Sequence, residues 1–297
     1  MENERRTYGD ETMFEVTPIE MNLASEWNQD EISWGTLHSK FDRVQNFRFS
    51  IKGEARLLTI MREGNILLPD SIILRREDYE RLKKQDEFRA VKSKDYMQIK
   101  DIKIALSNIS SCSLLNISLE NFNKEQFEQK KKQIETFIGY SGKKSDFERL
   151  PERYGVALST FVEGVLDSNL SAVESSFQTL IGAGRGLTPA ADDAIVGTLA
   201  GCLLGLALHK KQDTYFARVE RILSYLIGEK QTTEISCKYL KCACRGEFAE
   251  ILCRLIQILA GDYEADLVKV LEKIKEVGHS SGMDMLYGLE KALDCIL

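Results

Sequence analysis

The chain has 297 residues, enough for one large domain or two of ordinary size, and 43% of them are hydrophobic. Its 29% charged residues and four prolines are typical of a globular protein and exclude disordered and fibrous classes. The formal net charge of −6 argues against a mainly electrostatic grip on nucleic acid or an anionic membrane, and we expect neither as a partner. The charged opening Met1–Arg6 leads into no apolar run, so we expect no secretory signal and a cytoplasmic location.

Short strand-like runs occupy the first half of the sequence. They alternate in polarity or are rich in β-branched residues, and Gly, Asn, Pro or Ser separates them. No stretch of crossover length separates the first four, which favours antiparallel pairing. The predicted strands are Ile32–Phe41, Phe47–Ile51, Ala55–Met61, Ile66–Leu74, Ile102–Leu106 and Ser113–Leu119.

The spacing of apolar residues becomes helical in the second half. Asn123–Phe137 has an amphipathic helical pattern, and the linker-like stretch Tyr140–Asp146 follows it. We therefore predict an α+β protein, with a mainly antiparallel β-rich domain over residues 1–145 and a mainly α-helical domain over residues 146–297. The further predicted helices are Tyr154–Leu166, Ala172–Ile181, Ala190–Leu208, Thr214–Leu226, Ile235–Cys244, Glu247–Leu259, Glu264–Val277 and Met283–Leu293.

One of these helices is apolar on every side. The stretch Ala194–Leu208 is shorter than the roughly 20 residues that span a bilayer, so it predicts a buried central helix. Gly197, Gly201 and Gly205 form a stripe along it, at a helix-propensity cost of about 1 kcal/mol each. Such a stripe predicts close packing of a second backbone.

A glycine-rich loop precedes the central helix. Thr188 is a good N-cap and Pro189 suits the first helical position, so the helix should begin there. The alternate glycines from Gly182 to Gly186 permit close backbone approach. Together with Arg185 and the free N–H groups of the helix start, they predict a cradle for a phosphate or a carboxylate.

Two aspartates, Asp192 and Asp193, follow in the first turn of that helix. A favourable interaction with the helix dipole would explain them without any ligand. Because the helix behind them is apolar, however, its start should lie deep in the domain, where carboxylates need donors, a cation or a substrate. We therefore predict that both belong to a site, either as catalytic groups or as ligands of a magnesium ion.

The segment Gly278–Asp284 precedes another predicted helix. Ser281 and Asp284 have the spacing of a capping box, which would make this a second helix start lined with donors. His279 lies among small residues beside that start, which suits a substrate contact or proton transfer. An ordinary loop histidine would explain it equally well.

A third helix start combines three hydroxyl groups within five residues. Thr232, Thr233 and Ser236 surround the beginning of the helix predicted from Ile235. Capping alone accounts for one or two of these hydroxyls, so the remainder suggests a hydrogen-bonding site.

At these three segments the sequence resembles a family that includes the AllH-type subunit of oxamate carbamoyltransferase. Gly186–Asp193 matches the family pattern Gly-Leu-Thr-Pro-x-x-Asp-Asp, and Gly278–Asp284 matches Gly-His-x-Ser-Gly-x-Asp. Thr232–Ser236, followed by Gly246, matches a threonine-rich helix start with a glycine after the helix. The chain departs from the pattern at Arg185, where the family has proline, and at Ala190-Ala191, where it has Ser-Gly.

The resemblance implies carbamoyl transfer between carbamoyl phosphate and oxamate in purine or allantoin nitrogen metabolism, carried out with partner subunits. The alternative is a non-catalytic subunit whose helix starts bind a metabolite or pack against the subunit that carries the reaction. No cofactor is required by the pattern, apart from the magnesium ion that the two aspartates could hold.

Carbamoyl transfer needs a held phosphate leaving group, donors for the developing oxyanion and a route for the proton of the attacking nitrogen. We predict that the loop amides and Arg185 bind the anion, that nearby hydroxyls donate hydrogen bonds, and that His279 or Asp193 handles the proton. The predicted catalytic residues are Asp192, Asp193 and His279, and the predicted substrate-binding residues are Gly182, Gly184, Arg185, Gly186, Thr188, Thr232, Thr233, Ser236, Ser280, Ser281 and Asp284.

Overall fold

The computed structural model describes residues 19–20, 32–51, 54–92, 96–100, 102–105, 109–110, 113–212, 215–227 and 231–296. Met1–Arg6, Leu106 and Thr214, which enter the expectations above, lie outside these residues. The chain divides into two compact units, and the class is α+β, as predicted. The first unit comprises Met1–Asn65 with Asp70–Ser111, and the second comprises Ile66–Pro69 with Cys112–Leu297.

A single sheet forms the first unit. Its strands are β1 (Ile19–Glu20), β2 (Ile32–Lys40), β3 (Val44–Ile51), β4 (Glu54–Arg62), β5 (Ser71–Leu74), β6 (Glu87–Lys92), β7 (Tyr96–Ile99), β8 (Ile102–Ala105) and β9 (Ile109–Ser110), and helix α1 (Arg76–Leu82) follows β5. Within the described residues the order is β8-β7-β6-β2-β3-β4-β5-β1-β9. Most neighbouring pairs are antiparallel, as predicted, whereas β4–β5 and β1–β9 are parallel.

Alternating apolar residues give this sheet its core. Phe47 on β3 and Phe88 on β6 are buried, and their ring centroids lie 4.5 Å apart in an edge-to-face arrangement. Tyr79 of α1 is also fully buried, so α1 covers part of the same apolar cluster. The unit therefore has a hydrophobic core of its own.

Two strand predictions are wrong in extent. Ile66–Leu74 is extended only from Ser71, because Asp70 takes a φ of 51°, which interrupts the strand before it. Ser113–Leu119 contributes one isolated bridge, from Ser113 to Glu247, and otherwise runs as loop and turn. Strands β6 and β7 were not predicted, since each carries only two buried residues in alternation with charged or polar ones.

The second unit is helical. Its α-helices are α2 (Lys124–Tyr140), α3 (Glu152–Leu166), α4 (Leu170–Leu180), α5 (Ala190–Leu208), α6 (Arg221–Ile227), α7 (Glu234–Cys244), α8 (Glu250–Ala260), α9 (Leu267–Lys275) and α10 (Ser281–Leu293). Eight of the nine helices predicted from residue 123 onward end within three residues of these bounds. The ninth, Thr214–Leu226, differs because its first part, Tyr215–Glu220, is π-helical and only α6 is α-helical.

The helical unit includes α2, which the sequence assigned to the β-rich domain. Phe127 and Ile134 on α2 are fully buried and belong to the helical core. The division of the chain between Ser111 and Cys112 therefore falls earlier than the predicted boundary at residues 145 and 146. An amphipathic pattern predicts that a helix will be buried on one side but does not identify its neighbour.

Helix α5 lies at the centre of the helical unit. It is long and apolar enough to cross a membrane, but 94% of its apolar window is buried within the protein, as a core helix would be. Its glycine stripe packs against α10, because a Cβ at Gly197 would lie 1.8 Å from the carbonyl oxygen of Met285. A Cβ at Gly288 of α10 would similarly lie 1.9 Å from the carbonyl oxygen of Ala194. The predicted close approach of a second backbone is confirmed.

Candidate functional site

The starts of α5, α7 and α10 meet at the loop that precedes α5. Gly182 and Gly184 in this loop have φ values of 74° and 122°. A Cβ would lie 2.3 Å from the carbonyl oxygen of Gln231 at the first position and 2.5 Å from the amide nitrogen of Ala190 at the second. Only glycine allows the loop to fold this tightly over the starts of α5 and α7.

Asp192 connects the loop, α5 and the segment before α7. Its Oδ1 accepts a 2.7 Å hydrogen bond from the Gly182 amide, and its Oδ2 accepts one of 2.5 Å from the Thr232 hydroxyl. Burial raises the pKa of Asp192, while hydrogen bonds from Thr232, Gly182 and Ser236 oppose the shift. Both carboxylate oxygens are thus engaged by the protein itself, so Asp192 holds the site together.

Thr233 ties the α7 start to the same loop. Its hydroxyl oxygen accepts a 3.1 Å hydrogen bond from the Ser236 amide, as an N-cap does, and it donates to the Leu187 carbonyl. Thr188 does not cap α5, because the N-cap is Pro189 and no side chain caps that end. The Thr188 hydroxyl instead lies 3.0 Å from the Ser281 hydroxyl at the start of α10. The prediction that Thr188 caps the helix is therefore wrong.

Asp193 lines a cavity of about 180 Å³ inside the helical unit. Its side chain is only 8% exposed, and Oδ2 has no hydrogen-bond partner among the described residues. Burial raises the pKa of Asp193 to about 8, against the opposing effect of the Ser281 and Thr188 hydroxyls, and the nearby Asp284 and Asp192 carboxyls add to the increase. A buried carboxyl with an unpaired oxygen is costly to the fold, and because this oxygen belongs to a residue that lines a cavity, Asp193 is a candidate for binding a ligand.

The rest of the cavity wall is apolar apart from a few polar groups. Glu247 is 6% exposed and is held by Arg245, whose Nε and Nη2 donate hydrogen bonds of 3.0 and 2.9 Å to its two oxygens. None of the described lining residues is Lys, Arg or His. The lining residues are Leu68, Pro69, Thr188, Asp193, Val196, Tyr239, Glu247, Phe248, Ala249, Val277, Ser281 and Met285.

Asp284 does not act as the third residue of a capping box. The N-cap of α10 is Ser280, with no side-chain cap, so the predicted Ser281–Asp284 pairing is wrong. The Oδ1 of Asp284 accepts hydrogen bonds from the Ser145 hydroxyl at 2.6 Å and the Phe147 amide at 2.9 Å. Burial raises the pKa of this carboxyl, and its Oδ2 has no partner among the described residues. Asp284 anchors the segment before α3 to α10.

Several predicted binding residues lie at the surface and do not line the cavity. Arg185 and His279 are both exposed, and Ser280 is partly buried. Gly186 has a φ of 96° and open space where a side chain would be, and it is also exposed. The structure therefore separates the predicted residues into a buried group around Asp193 and an exposed group on the loops.

The two adjacent aspartates have different surroundings, and these decide whether both can bind the predicted magnesium ion. Within the described parts of the chain, no cluster of three or more His, Cys, Asp or Glu side chains has the arrangement of a metal site. Because both oxygens of Asp192 accept hydrogen bonds from protein donors, only Asp193 has an oxygen available to a cation. The residues present do not fit a metal ion held jointly by Asp192 and Asp193.

Sequence reasoning missed Glu247 and Tyr239 as cavity residues. Tyr239 lies in the middle of α7, where no sequence motif distinguishes it. Glu247 follows that helix and forms an ion pair with Arg245, two residues earlier. The available signal was Gly246, which has a φ of 77° and redirects the chain immediately before Glu247. A positive-φ glycine between two opposite charges is compatible with any turn, so this signal is weak.

The fold and the site define an α+β protein whose helical unit has a small cavity lined by residues at the starts of α5 and α10, next to the loop where the start of α7 is also held. Residues 180–293 match the family described as oxamate carbamoyltransferase subunit AllH, and residues 15–112 match the AllH family N-terminal domain. The chain therefore belongs to the AllH family. The end of the N-terminal match coincides with the start of the main part of the helical unit. No solved structure matches the chain.

Proposed function

We propose that this protein is a subunit of a carbamoyltransferase that transfers the carbamoyl group of carbamoyl phosphate to oxamate, in purine or allantoin nitrogen metabolism. The family description supports the reaction class. The observation that carries the proposal for this chain is Asp193, a buried carboxyl with an unpartnered Oδ2 inside a cavity in the family-matched region. A volume of about 180 Å³ suits a ligand of few atoms, since drug-sized ligands occupy about 300–1,000 Å³.

The reaction assigns a specific task to Asp193. The amide nitrogen of oxamate attacks the carbonyl carbon of carbamoyl phosphate, the new C–N bond forms, the C–O bond to phosphate breaks, and the nitrogen loses a proton. A carboxyl with a pKa of about 8 is ionised in a minor fraction of molecules at neutral pH, and in that form it can accept the proton and later release it. The Thr188 and Ser281 hydroxyls beside it share a 3.0 Å hydrogen bond, and the proton that this bond leaves free can be donated to the carbonyl oxygen while it carries negative charge.

The phosphate of carbamoyl phosphate requires positive charge from outside the cavity. No cationic side chain lines the cavity, whereas Arg185 is exposed on the loop and has no ion pair among the described residues. We propose that Arg185 and the Gly184–Gly186 amides contact the anion at the surface, together with groups of a partner subunit. His279, also exposed, is then a candidate contact with the partner or the anion and does not take the proton.

The lack of cationic side chains among the described cavity residues also supports a second candidate function. A non-catalytic subunit would bind a metabolite in the cavity while a partner subunit carries the transfer. Magnesium that binds carbamoyl phosphate in solution would neutralise the phosphate outside the cavity, without a ligand from Asp193.

The test is phosphate release from carbamoyl phosphate with oxamate, using the chain alone and then with its partner subunits, with and without magnesium. We expect turnover only in the assembled enzyme and a loss of at least about 100-fold in kcat for Asp193→Asn, in the range of general acid–base catalysis. Asp262→Asn, at an exposed position in the same unit, is the matched control. Normal turnover by assembled Asp193→Asn would assign catalysis to a partner and leave this chain a binding role.

A further inference from the structure

The charges around the cavity at Asp193 determine which chemical group of a small ligand can bind there. Of its two acidic side chains, Glu247 is already neutralised by the bidentate contact with Arg245. Asp193 is more than nine-tenths buried, and its Oδ2 has no partner among the described residues. A ligand carboxylate or phosphate placed here would be desolvated beside an acidic group without any cation to compensate it.

The polar groups of the cavity match an uncharged amide. A primary amide offers two N–H donors and one carbonyl acceptor on a planar group. Asp193 Oδ2 is an acceptor for one N–H. The Thr188 and Ser281 hydroxyls share a 3.0 Å hydrogen bond, so one of their two protons is left to be donated to the carbonyl oxygen. The remaining walls, which include Val196 and Phe248, are apolar and suit a group without charge.

From these observations we infer that the cavity binds the uncharged carbamoyl or primary amide end of its ligand, with Asp193 Oδ2 accepting an N–H, and leaves the anionic end outside. The inference rests on the proposed function for the identity of the ligands and extends it to their orientation. It also changes the role predicted for the starts of α5 and α10, since the anion is excluded from the cavity that they line. Asp193 thereby becomes a determinant of specificity for amide over carboxylate.

A series of three ligands of similar size tests this orientation on the full-length chain. Oxamide carries an amide at both ends, oxamate carries one amide and one carboxylate, and oxalate carries two carboxylates. We expect oxamide and oxamate to bind, and oxalate to bind at least about tenfold more weakly by calorimetry at pH 9, where Asp193, whose pKa is raised to about 8, is ionised and accepts hydrogen bonds only. Equal or tighter binding of oxalate would overturn the inference, and so would absence of oxamide binding at millimolar concentrations.

The variant Asp193→Asn tests the residue, since it presents an amide of nearly the same shape. At pH 9 we expect it to lose at least about tenfold of the preference for oxamide over oxalate, because the buried carboxylate that disfavours an anion is gone. Asp262→Asn should keep the full preference. A preference that survives in Asp193→Asn would assign it to another group and overturn the role given to Asp193.

These measurements are independent of the transfer reaction. They need neither partner subunits nor carbamoyl phosphate, so an amide preference without turnover would leave the inference standing and count against the proposed reaction. Turnover lost in Asp193→Asn, combined with unselective binding of oxalate, would support the reaction and overturn only the orientation.

Discussion

Replacement of Asp193 by asparagine should stabilise the protein while removing its activity. Burial raises the pKa of this carboxyl from 3.8 to about 8, with the nearby Asp284 and Asp192 carboxyls adding to the shift. Because the folded-state pKa is raised, the group contributes most to stability below pH 4, and that contribution is lost as the pH rises toward 8. One pKa unit corresponds to about 1.4 kcal/mol, so between pH 5 and pH 7 the wild type should lose up to about 3 kcal/mol from this group.

Asparagine does not titrate, so the difference in unfolding free energy between Asp193→Asn and the wild type isolates this one group. Urea denaturation at pH 5, 6 and 7 should show the variant gaining stability over the wild type with each step, by up to about 3 kcal/mol in total. The titration of all other groups cancels in the difference, and Asp262→Asn should run parallel to the wild type. A difference for Asp193→Asn that stays constant with pH would show that the carboxyl is not desolvated in the folded protein, and the case for the site would fail with it.

Two further changes test the framework around the cavity. Gly197→Ala places a Cβ 1.8 Å from the Met285 carbonyl oxygen and should cost about 3 kcal/mol or more in urea unfolding, whereas Gly155→Ala in α3, with open space around it, should raise stability by about 0.5–1 kcal/mol. Equal effects of the two would mean that α5 and α10 are not in close contact. Thr232→Val removes the hydroxyl donor to Asp192 and should lower unfolding free energy by about 1–3 kcal/mol, measured the same way; an unchanged stability would contradict the tie between the loop and α7.

The helical half of the fold was predictable because its signals are local. The Ala190–Leu208 helix was predicted with both ends correct, since a long apolar run with glycine punctuation has few alternative structures. Strand β6 was missed because Phe88 and Ala90 are its only buried residues, and charged neighbours conceal the alternation. The order of the strands depends on pairings between distant segments, which a single sequence does not contain.

The sequence indicated a site shared by three helix starts because each of them carries hydroxyl and acidic residues. What each residue does there depends on distances of one or two ångströms, which spacing alone does not fix. Asp192 and Asp193 are adjacent and chemically identical, yet Asp192 is saturated by protein donors and Asp193 has an oxygen without one. Their difference arises from the approximately 100° rotation between successive helical residues and from the elements packed on each side.

The contact between α5 and α10 also determines which wall of the cavity can move. Val196 and Met285 line the cavity, and each lies at or beside a point where the two backbones touch without intervening side chains. Neither helix can move away from the cavity without breaking that contact, so we expect this wall to be rigid. The other sides of the cavity include connecting segments, which contribute Leu68, Pro69, Thr188, Glu247, Phe248 and Val277, and we expect the rate of ligand exchange to respond to changes there.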